Sequence, residues 1–332
     1  MGGDLERLIV VGGSAGAVPV LQRVIETLPG DFPAAVLAVI HLSPTEPSGL
    51  AAALARITGR DVRFARNGQT LAPGTILLAP PNFHLLVKDG AVALSRGPKE
   101  NLARPAIDPL FRTAAVSWGA RTIGVVLSGR LDDGTAGLRA IKRAGGLAVV
   151  QDPAEAEAAD MPQSALGFCD VDHVTESTQM ASLLDRLVKQ PPPRANQPPP
   201  GQVLESAMES GLSSMEGEDR IGERSVLTCP ECGGTLWRIP DGDMLRYRCH
   251  TGHALTADSM SEAYGSAVEK ALWSAVRTHR ERVGLARDMV AKALMRGHRQ
   301  SAELWQRRAE ECDREADVIL SLLLSGEVEK LD

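Results

Sequence analysis

The sequence predicts an α/β fold, a doubly wound and mostly parallel sheet, over residues 1–190. Two observations predict it. Short, almost wholly apolar runs alternate with segments of helical periodicity, which is typical of strands buried on both faces by covering helices. The chain has 332 residues, of which 43% are hydrophobic, so it is long enough and apolar enough for more than one packed domain.

The predicted elements of this sheet follow in chain order. Strands are expected over 8–11, 35–40, 75–79, 122–127 and 147–150. Helices are expected between them, over 18–28, 49–57, 108–118 and 135–144. Two short strand-like runs flank Asp89 and Gly90, a dipeptide typical of hairpin turns, so we expect an antiparallel hairpin at the sheet edge.

Three further parts are predicted after the sheet. Residues 191–225 contain two proline runs and then a polar, acidic stretch, which predicts an extended linker. Residues 226–255 hold clustered cysteine and histidine, which predicts a small zinc-ribbon-like module. Residues 256–330 show two helical patterns, and we expect an α-helical hairpin with Cys312 and His279 on its apolar seam.

Charge and hydropathy exclude several classes of function. The net charge of −6 argues against nonspecific nucleic-acid binding by the whole chain. No apolar run is long enough to cross a bilayer, and the N-terminus lacks the basic start of a signal peptide. We therefore expect a cytoplasmic protein without membrane insertion, whose five cysteines stay reduced and serve as metal ligands or core residues.

A serine lies where the first predicted strand meets the first predicted helix. Gly12, Ser14 and Gly16 fit the G-x-S-x-G pattern, in which small residues allow a sharp strand-to-helix turn. Backbone N–H groups at a helix start can stabilise an oxyanion. The pattern predicts a nucleophile, although a phosphate-binding turn or a purely structural turn fits it equally well.

A base and an acid follow other predicted strands. His41 comes directly after one strand, and Asp132 and Asp133 come shortly after another. The carboxyl ends of parallel strands meet at one sheet edge, so these side chains are expected near Ser14. Imidazole suits the role of base, and a carboxylate can orient it. The alternatives are a loop contact for His41 and a helix cap for either aspartate. His84 follows another strand and fits a structural role as well as a binding role.

Four segments together resemble the chemotaxis-receptor (protein-glutamate) methylesterase family, over about residues 8–174. They are Gly12-Gly13-Ser14-Ala15-Gly16, Ile40-His41-Leu42-Ser43-Pro44, Arg104-Pro105-Ala106-Ile107-Asp108 and Leu127-Ser128-Gly129-Arg130-Leu131-Asp132-Asp133-Gly134. The resemblance implies that Ser14 is the nucleophile, His41 the base and Asp133 the third member of a catalytic triad. It also implies hydrolysis of glutamate γ-methyl esters, and deamidation of glutamines, on the cytoplasmic helices of methyl-accepting chemoreceptors. Other chemosensory-pathway proteins are implied as further partners.

The chain departs from the family pattern at several positions. Ala15 stands where the family usually has threonine, and Arg130 and Leu131 replace a usual Met-Gly pair. Arg130 places a positive charge at the expected mouth of the cleft. The receiver domain usual at the N-terminus is absent from this sequence, so we do not expect control by phosphorylation within the chain.

The cysteine–histidine segment predicts a structural zinc site. Cys229 and Cys232 form a C-x-x-C pair, and Cys249 with His253 supplies the second half, across a hairpin signal at Asp241-Gly242. Three thiolates and one imidazole suit tetrahedral zinc. His250 is the alternative fourth ligand, and a metal-free hairpin with buried cysteines is the alternative structure. No cofactor is expected for catalysis itself.

Two functions remain open on the sequence. The first is a serine hydrolase, either the esterase described above or one that acts on another protein ester or amide. The second is a catalytically idle or divergent esterase-like scaffold, whose ribbon and helical tail bind a signalling partner. Nucleic-acid binding is disfavoured, because aromatic residues make up only 3% of the chain and acidic residues outnumber basic ones.

Overall fold

The computed structural model describes residues 5–41, 49–209 and 215–325. Outside these ranges lie the predicted motif residues Leu42, Ser43 and Pro44, part of the predicted linker, and residues 326–330 of the predicted helical hairpin. The chain divides into two compact units, Met1–Met260 and Ser261–Asp332. The predicted catalytic domain, linker and cysteine module therefore fall within one unit, while the boundaries proposed between them stay predictions.

Nine strands and six helices build the larger part of the first unit. The strands are β1 Leu8–Gly13, β2 Ala35–Ile40, β3 Val62–Phe64, β4 Ile76–Leu78, β5 His84–Lys88, β6 Ala91–Ser95, β7 Thr122–Val126, β8 Leu147–Gln151 and β9 His173–Thr175. The helices are α1 Ala17–Thr27, α2 Leu50–Thr58, α3 Ile107–Trp118, α4 Thr135–Arg143, α5 Asp160–Phe168 and α6 Ser177–Val188.

A seven-stranded parallel sheet forms the centre, in the order β3-β4-β2-β1-β7-β8-β9. Helices α1, α2 and α6 pack against one face of the sheet and form one hydrophobic core with it. Helices α3, α4 and α5 pack against the opposite face and form a second core. The central strands β4, β2, β1, β7 and β8 are buried on both sides because each face is covered by helices. The doubly wound fold class is confirmed.

The predicted hairpin is present, but it does not extend the main sheet. Strands β5 and β6 pair with each other as a two-stranded sheet. The backbone N–H of Val87 donates to Thr113 Oγ1 of α3, and Ser117 Oγ donates to the Val87 carbonyl. The hairpin packs on α3 because its apolar residues Leu85 and Val87 belong to the same core as that helix.

The segment predicted to be an extended linker, residues 191–225, contains two helices. Residues 191–199 have no regular structure, but two helices follow, α7 Pro200–Met208 and α8 Met215–Ile221. Proline at the first helical position is compatible with helix initiation. Apolar Met208 and Ile221 bury against Trp237 and Ile239, so tertiary packing stabilises these helices.

The cysteine-containing part is a four-stranded antiparallel sheet. Its strands are β10 Glu223–Thr228, β11 Thr235–Asp241, β12 Met244–Cys249 and β13 Ala254–Thr256. Gly242, with a φ of 62°, makes the tight turn that the sequence indicates between β11 and β12. We call residues 223–260, which contain this sheet and the start of the next helix, the C-terminal module.

A buried cluster of charges joins the C-terminal module, α7 and α3. Arg112 of α3 lies 2.6 Å from Glu100 and also pairs with Glu209, while Arg248 of β12 lies 3.0 Å from Glu100. Burial opposes ionisation of Glu205 in α7, but the charges of Arg112, Arg246 and Arg248 outweigh burial and lower the pKa of Glu205 to about 2. These buried ion pairs hold the C-terminal module and α7 against α3, because separating any pair would leave a buried charge without its partner.

The second unit is a helical hairpin. Helix α9 Ala257–Met295 starts in the first unit and continues into the second, and α10 Arg299–Leu324 follows Gly297. Val283 and Ala286 pack against Ala309 and Cys312, which places Cys312 on the predicted seam. None of the described helices combines the length and apolarity needed to cross a membrane.

Candidate active site

Ser14 lies at the turn between β1 and α1. Its backbone N–H donates to the Ser128 carbonyl at 2.9 Å, which ties this turn to the loop after β7. Gly16 precedes α1 with a φ of +75°, and an added Cβ there would lie 2.5 Å from Glu157 Cβ and 2.7 Å from Ser128 Oγ. Glycine is required at this position both for its conformation and for its lack of a side chain.

His41 lies beside Ser14 at the end of the adjacent strand. Gly13 of β1 pairs with Ile40 of β2, and the His41 backbone N–H donates to the Gly13 carbonyl at 3.2 Å. Neighbouring strands lie about 4.8 Å apart, so Ser14 and His41 leave the sheet side by side. No hydrogen bond joins the Ser14 hydroxyl to His41 in this structure, in which both residues are described.

The imidazole of His41 is oriented by Asp133. His41 Nε2 lies 2.8 Å from Asp133 Oδ2, in the loop between β7 and α4. Since Nε2 faces the carboxylate, Nδ1 is the ring nitrogen left for an incoming proton. The missing hydrogen bond does not exclude a joint role for the two groups, because hydrogen bonds of this kind often tighten only with substrate.

The Asp133 carboxylate is buried and fully committed to hydrogen bonds. It is 2% exposed and accepts from the backbone N–H of Ile107 at 2.7 Å and of Asp108 at 3.2 Å. Asn101 Nδ2 donates to it at 2.9 Å. Burial opposes ionisation, but the hydrogen bonds from His41, Ile107 and Asn101 outweigh it and lower the pKa of Asp133. The carboxylate therefore stays charged where it can stabilise an imidazolium.

Asp132, the alternative aspartate, has a different environment. Its Oδ1 accepts from Thr256 Oγ1 of β13 at 2.8 Å, and no hydrogen bond joins it to His41, both residues being described. Burial raises the pKa of Asp132 to about 7. Of the two aspartates, the structure brings only Asp133 into hydrogen-bond contact with His41.

Two further buried residues, Asn101 and Asp108, surround Asp133 and were not among the predicted site residues. Asn101 Nδ2 donates to both Asp108 Oδ2 and Asp133 Oδ1 at 2.9 Å. Asp108 Oδ1 accepts from the backbone N–H of Gly134 at 3.1 Å and of Gly137 at 2.6 Å, which anchors α3 to the Asp133 loop. Burial, and then the charge of Asp133, raise the pKa of Asp108 well above its usual value. Asp108 lies in one of the four segments that resemble the methylesterase family, but no local pattern identifies Asp108 or Asn101 as a neighbour of Asp133.

Two backbone N–H groups near Ser14 have no acceptor among the described residues. They belong to Ala15, which follows Ser14, and to Arg130, in the loop whose Ser128 carbonyl accepts the Ser14 N–H. Gly129 lies directly against Ser14, and an added Cβ there would lie 3.0 Å from Ser14 Cβ and 2.0 Å from Met161 Sδ. Glycine is therefore required at this position, because Met161 already fills the space that a side chain would take.

His84 has a structural role. It is 2% exposed, its Nε2 lies 2.9 Å from the Pro98 carbonyl, and its Nδ1 accepts from the Ala106 N–H at 3.2 Å. Burial lowers the pKa of this imidazole, so it stays neutral. His84 supports the loop that leads into α3 and is not part of the Ser14 cleft.

The C-terminal module brings the predicted metal ligands together. Cys229, Cys232, Cys249 and His253 each offer a ligand atom, and these atoms all lie within 4.8 Å of one another. Two backbone turns shape the cluster: the Gly233 N–H donates to the Cys229 carbonyl, and the Cys249 N–H to the His253 carbonyl. Among the described residues, His253 and not His250 completes this set. Four converging ligand atoms of this kind could hold a metal ion.

Comparisons with known proteins match the region that holds Ser14, His41 and Asp133. A family model described as CheB methylesterase matches residues 9–184. A relative from Leptospira interrogans is 38% identical over 180 residues, which cover 54% of this chain and 93% of the relative. A Pseudomonas syringae relative, named protein-glutamate methylesterase/protein-glutamine glutaminase 2, is 36% identical over 185 residues, 55% of this chain and 54% of its own length. The chain thus spans about half the length of that second relative.

A solved structure matches the same part of the fold. The crystal structure of the Thermotoga maritima CheB methylesterase catalytic domain aligns with a TM-score of 0.53 and 32% identity, covering 55% of this chain and 98% of that one. The whole C-terminal module and the helical hairpin fall outside the region matched by the family model, which ends at residue 184.

Proposed function

The chain belongs to the CheB methylesterase family, and we propose that it hydrolyses glutamate γ-methyl esters on methyl-accepting chemoreceptors with Ser14, His41 and Asp133 as its triad. The relatives' names support the same reaction together with glutamine deamidation. The observation that carries the triad is the 2.8 Å contact between His41 Nε2 and Asp133 Oδ2, next to Ser14 at paired strand ends.

The reaction follows acyl-transfer chemistry. His41 Nδ1 takes the proton of the Ser14 hydroxyl while Oγ attacks the ester carbonyl carbon. The N–H groups of Ala15 and Arg130 stabilise the developing oxyanion. The tetrahedral intermediate then collapses, the methoxy group leaves as methanol with the proton from His41, and an acyl-enzyme remains. Water attacks this ester with His41 again as base, which releases glutamate and restores Ser14. With glutamine as substrate, ammonia leaves in place of methanol.

The substrate assignment is tested by methanol release. Wild-type protein incubated with methylated chemoreceptor is expected to release methanol, and Ser14→Ala is expected to abolish this. Ser182→Ala, at an exposed serine of α6, is the matched control and should match wild type. A fluorophosphonate probe, which labels activated serines, separates the alternatives. Labelled but inert protein would indicate another ester or amide substrate, and unlabelled protein would favour the idle scaffold.

We also propose that the C-terminal module holds one structural zinc ion through Cys229, Cys232, Cys249 and His253. Convergence of these four ligand atoms within 4.8 Å supports the assignment, and three thiolates with one imidazole fit a closed tetrahedral site. For so small a sheet, metal binding would supply much of the folding free energy.

Metal analysis tests the zinc proposal. Protein purified under reducing conditions is expected to carry about one zinc ion per chain. Cys249→Ser should lose most of it, whereas Cys169→Ser, at a half-buried cysteine outside the cluster, should keep it. A metal content near zero in the reduced wild-type protein would contradict the proposal.

A further inference from the structure

Asn101 connects the Asp133 carboxylate to the C-terminal module. On one side, its Nδ2 donates to Asp133 Oδ1 and Asp108 Oδ2, both at 2.9 Å. On the other side, its Oδ1 accepts from the Thr256 backbone N–H and lies 3.2 Å from Ser259 Oγ. A single buried amide therefore bridges the proposed triad and residues more than 150 positions later in the chain.

The module and the Asp133 carboxylate require the same orientation of this amide. A backbone N–H can only donate, so Thr256 requires an acceptor, and the Asn101 oxygen must face it. The NH₂ group is then directed at the two carboxylates, which can only accept when ionised. A reversed amide would set two donors against each other on one side and an oxygen against two carboxylates on the other. Thr256 of the module and the Asp133 carboxylate therefore impose the same orientation on the amide from opposite sides.

The residues that hold Asn101 are contiguous with the metal-ligand cluster. His253 is followed directly by Ala254, whose carbonyl accepts the Asn101 backbone N–H at 2.9 Å. Thr256 lies two residues further on, and Ser259, which is 0% exposed, hydrogen-bonds to Thr256 in the first turn of α9. The knuckle that carries His253 therefore sets the position of the strand that holds Asn101.

We propose that the C-terminal module contributes to the active site by positioning Asp133. Metal binding at Cys229, Cys232, Cys249 and His253 fixes the position of β13. Thr256 and Ser259 then hold Asn101, which is a positioning residue for Asp133. This inference rests on the proposed triad. It makes the esterase dependent on a metal ion that lies outside the catalytic cleft and takes no part in the chemistry. A chain deprived of that metal would keep Ser14, His41 and Asp133 but lose part of their alignment.

The test measures the rate at which a fluorophosphonate probe labels Ser14 in the full-length protein, at saturating probe. Ser259→Ala removes one hydrogen bond to Asn101 and is expected to slow labelling about 3- to 10-fold. Asn101→Asp keeps the shape of the side chain but presents a carboxylate to Asp133, and is expected to slow labelling further. A positioning role lowers the rate constant while the final labelled fraction stays complete, whereas misfolding lowers the labelled fraction.

A matched control comes from the same interface. Lys99 forms a part-exposed ion pair with Glu231 of the module at 3.5 Å and does not contact Asn101. Lys99→Ala should label at the wild-type rate. If Ser259→Ala also labels at that rate, the bridge through Asn101 does not position Asp133 and the inference is overturned.

Removing the metal is a second, independent test of the proposal. Zinc stripped with a chelator under reducing conditions should slow labelling, and added zinc should restore the rate, with circular dichroism reporting that the main sheet persists. Unchanged labelling in metal-free protein would overturn the metal part of the inference. Because the probe carries no glutamate ester, failure of the chemoreceptor assay leaves this test intact. Absence of labelling in the wild type would overturn both the triad and this inference.

Discussion

Two adjacent aspartates at the end of β7 serve different parts of the molecule. Asp133 turns toward His41 and accepts four hydrogen bonds, which keep it ionised despite burial. Asp132 turns toward Thr256 of the module, where burial favours its protonated form. The sequence alone leaves both as candidates, because adjacent residues share the same local signal. Their environments differ because His41, Asn101 and the start of α3 surround Asp133, whereas the module contacts Asp132.

At Asp133, an amide cannot replace the carboxylate. Asp133→Asn presents an NH₂ group to at least one of the N–H donors of Ile107, Asp108 and Asn101. We expect labelling of Ser14 to fall about 10²- to 10⁴-fold, because the imidazole loses its orienting charge. Probe labelling kinetics measure this, with Asp170→Asn, at a 96% exposed aspartate, as control. A variant within threefold of wild type would remove Asp133 from the triad.

The raised pKa of Asp132 leads us to expect that the stability of the folded protein depends on pH. Its pKa is about 7 in the folded protein and 3.8 as an unperturbed group, so the folded state holds a proton that the unfolded chain has released. The free energy of unfolding then falls as pH rises from about 4 to about 7. Asp132→Asn stays neutral, so its stability relative to wild type should be about 2 kcal/mol greater at pH 8 than at pH 5. Urea unfolding of both proteins at pH 5 and pH 8 measures this. If the free energies of unfolding of variant and wild type differ by the same amount at both pH values, the prediction is contradicted.

At the scale of elements, the β1–α1 turn depends on the loop packed against it. Gly16 meets Glu157 and Ser128, which come from later segments of the chain. Gly16→Ala is therefore expected to destabilise the protein by about 2 kcal/mol or more, from a strained φ and a close contact. Gly167, in α5, has nothing within 4 Å of an added Cβ, so Gly167→Ala should instead stabilise by about 0.5–1 kcal/mol. Thermal unfolding of the two variants should show shifts of opposite sign.

The helices α7 and α8 show how tertiary contacts override local composition. Their segment is rich in proline and acidic residues, a composition typical of linkers. In the structure, Glu205 and Glu209 of this region are almost fully buried against Arg112, Arg246 and Arg248. The acidic character is thus explained by a basic partner surface, contributed by α3 and β12, that no local pattern reveals.

At the scale of the whole molecule, the two compact units should respond separately to mutation. Val283 is 4% exposed in the helical hairpin, whereas Leu285 of the same helix is 62% exposed. Val283→Asp buries a charge in the seam and should unfold the hairpin, with loss of helical circular dichroism. Ser14 labelling should persist, because the triad and its supports lie in the first unit. Leu285→Asp is the control and should leave both signals unchanged, and loss of labelling in Val283→Asp would refute this independence.

The sequence by itself determined the features whose signals are local. Apolar runs alternating with helical periods predicted the parallel sheet, the Ser14 turn followed from small residues at one corner, and the Asp241-Gly242 hairpin and the C-x-x-C pair followed from spacing alone. Each depends on residues a few positions apart, where backbone geometry fixes what the side chains can do. Parallel strand ends also indicated that Ser14 and His41 would emerge together.

Only the tertiary structure decided which aspartate faces His41, where the hairpin packs, and that Asn101 links Asp133 to the C-terminal module. The Thr256–Asn101 hydrogen bond spans 155 residues, and the Arg248–Glu100 ion pair spans 148. Such contacts depend on how completed elements pack, and an asparagine or glutamate in the sequence does not indicate its distant partner. The placement of the cysteine module against the proposed active site therefore became visible only in three dimensions.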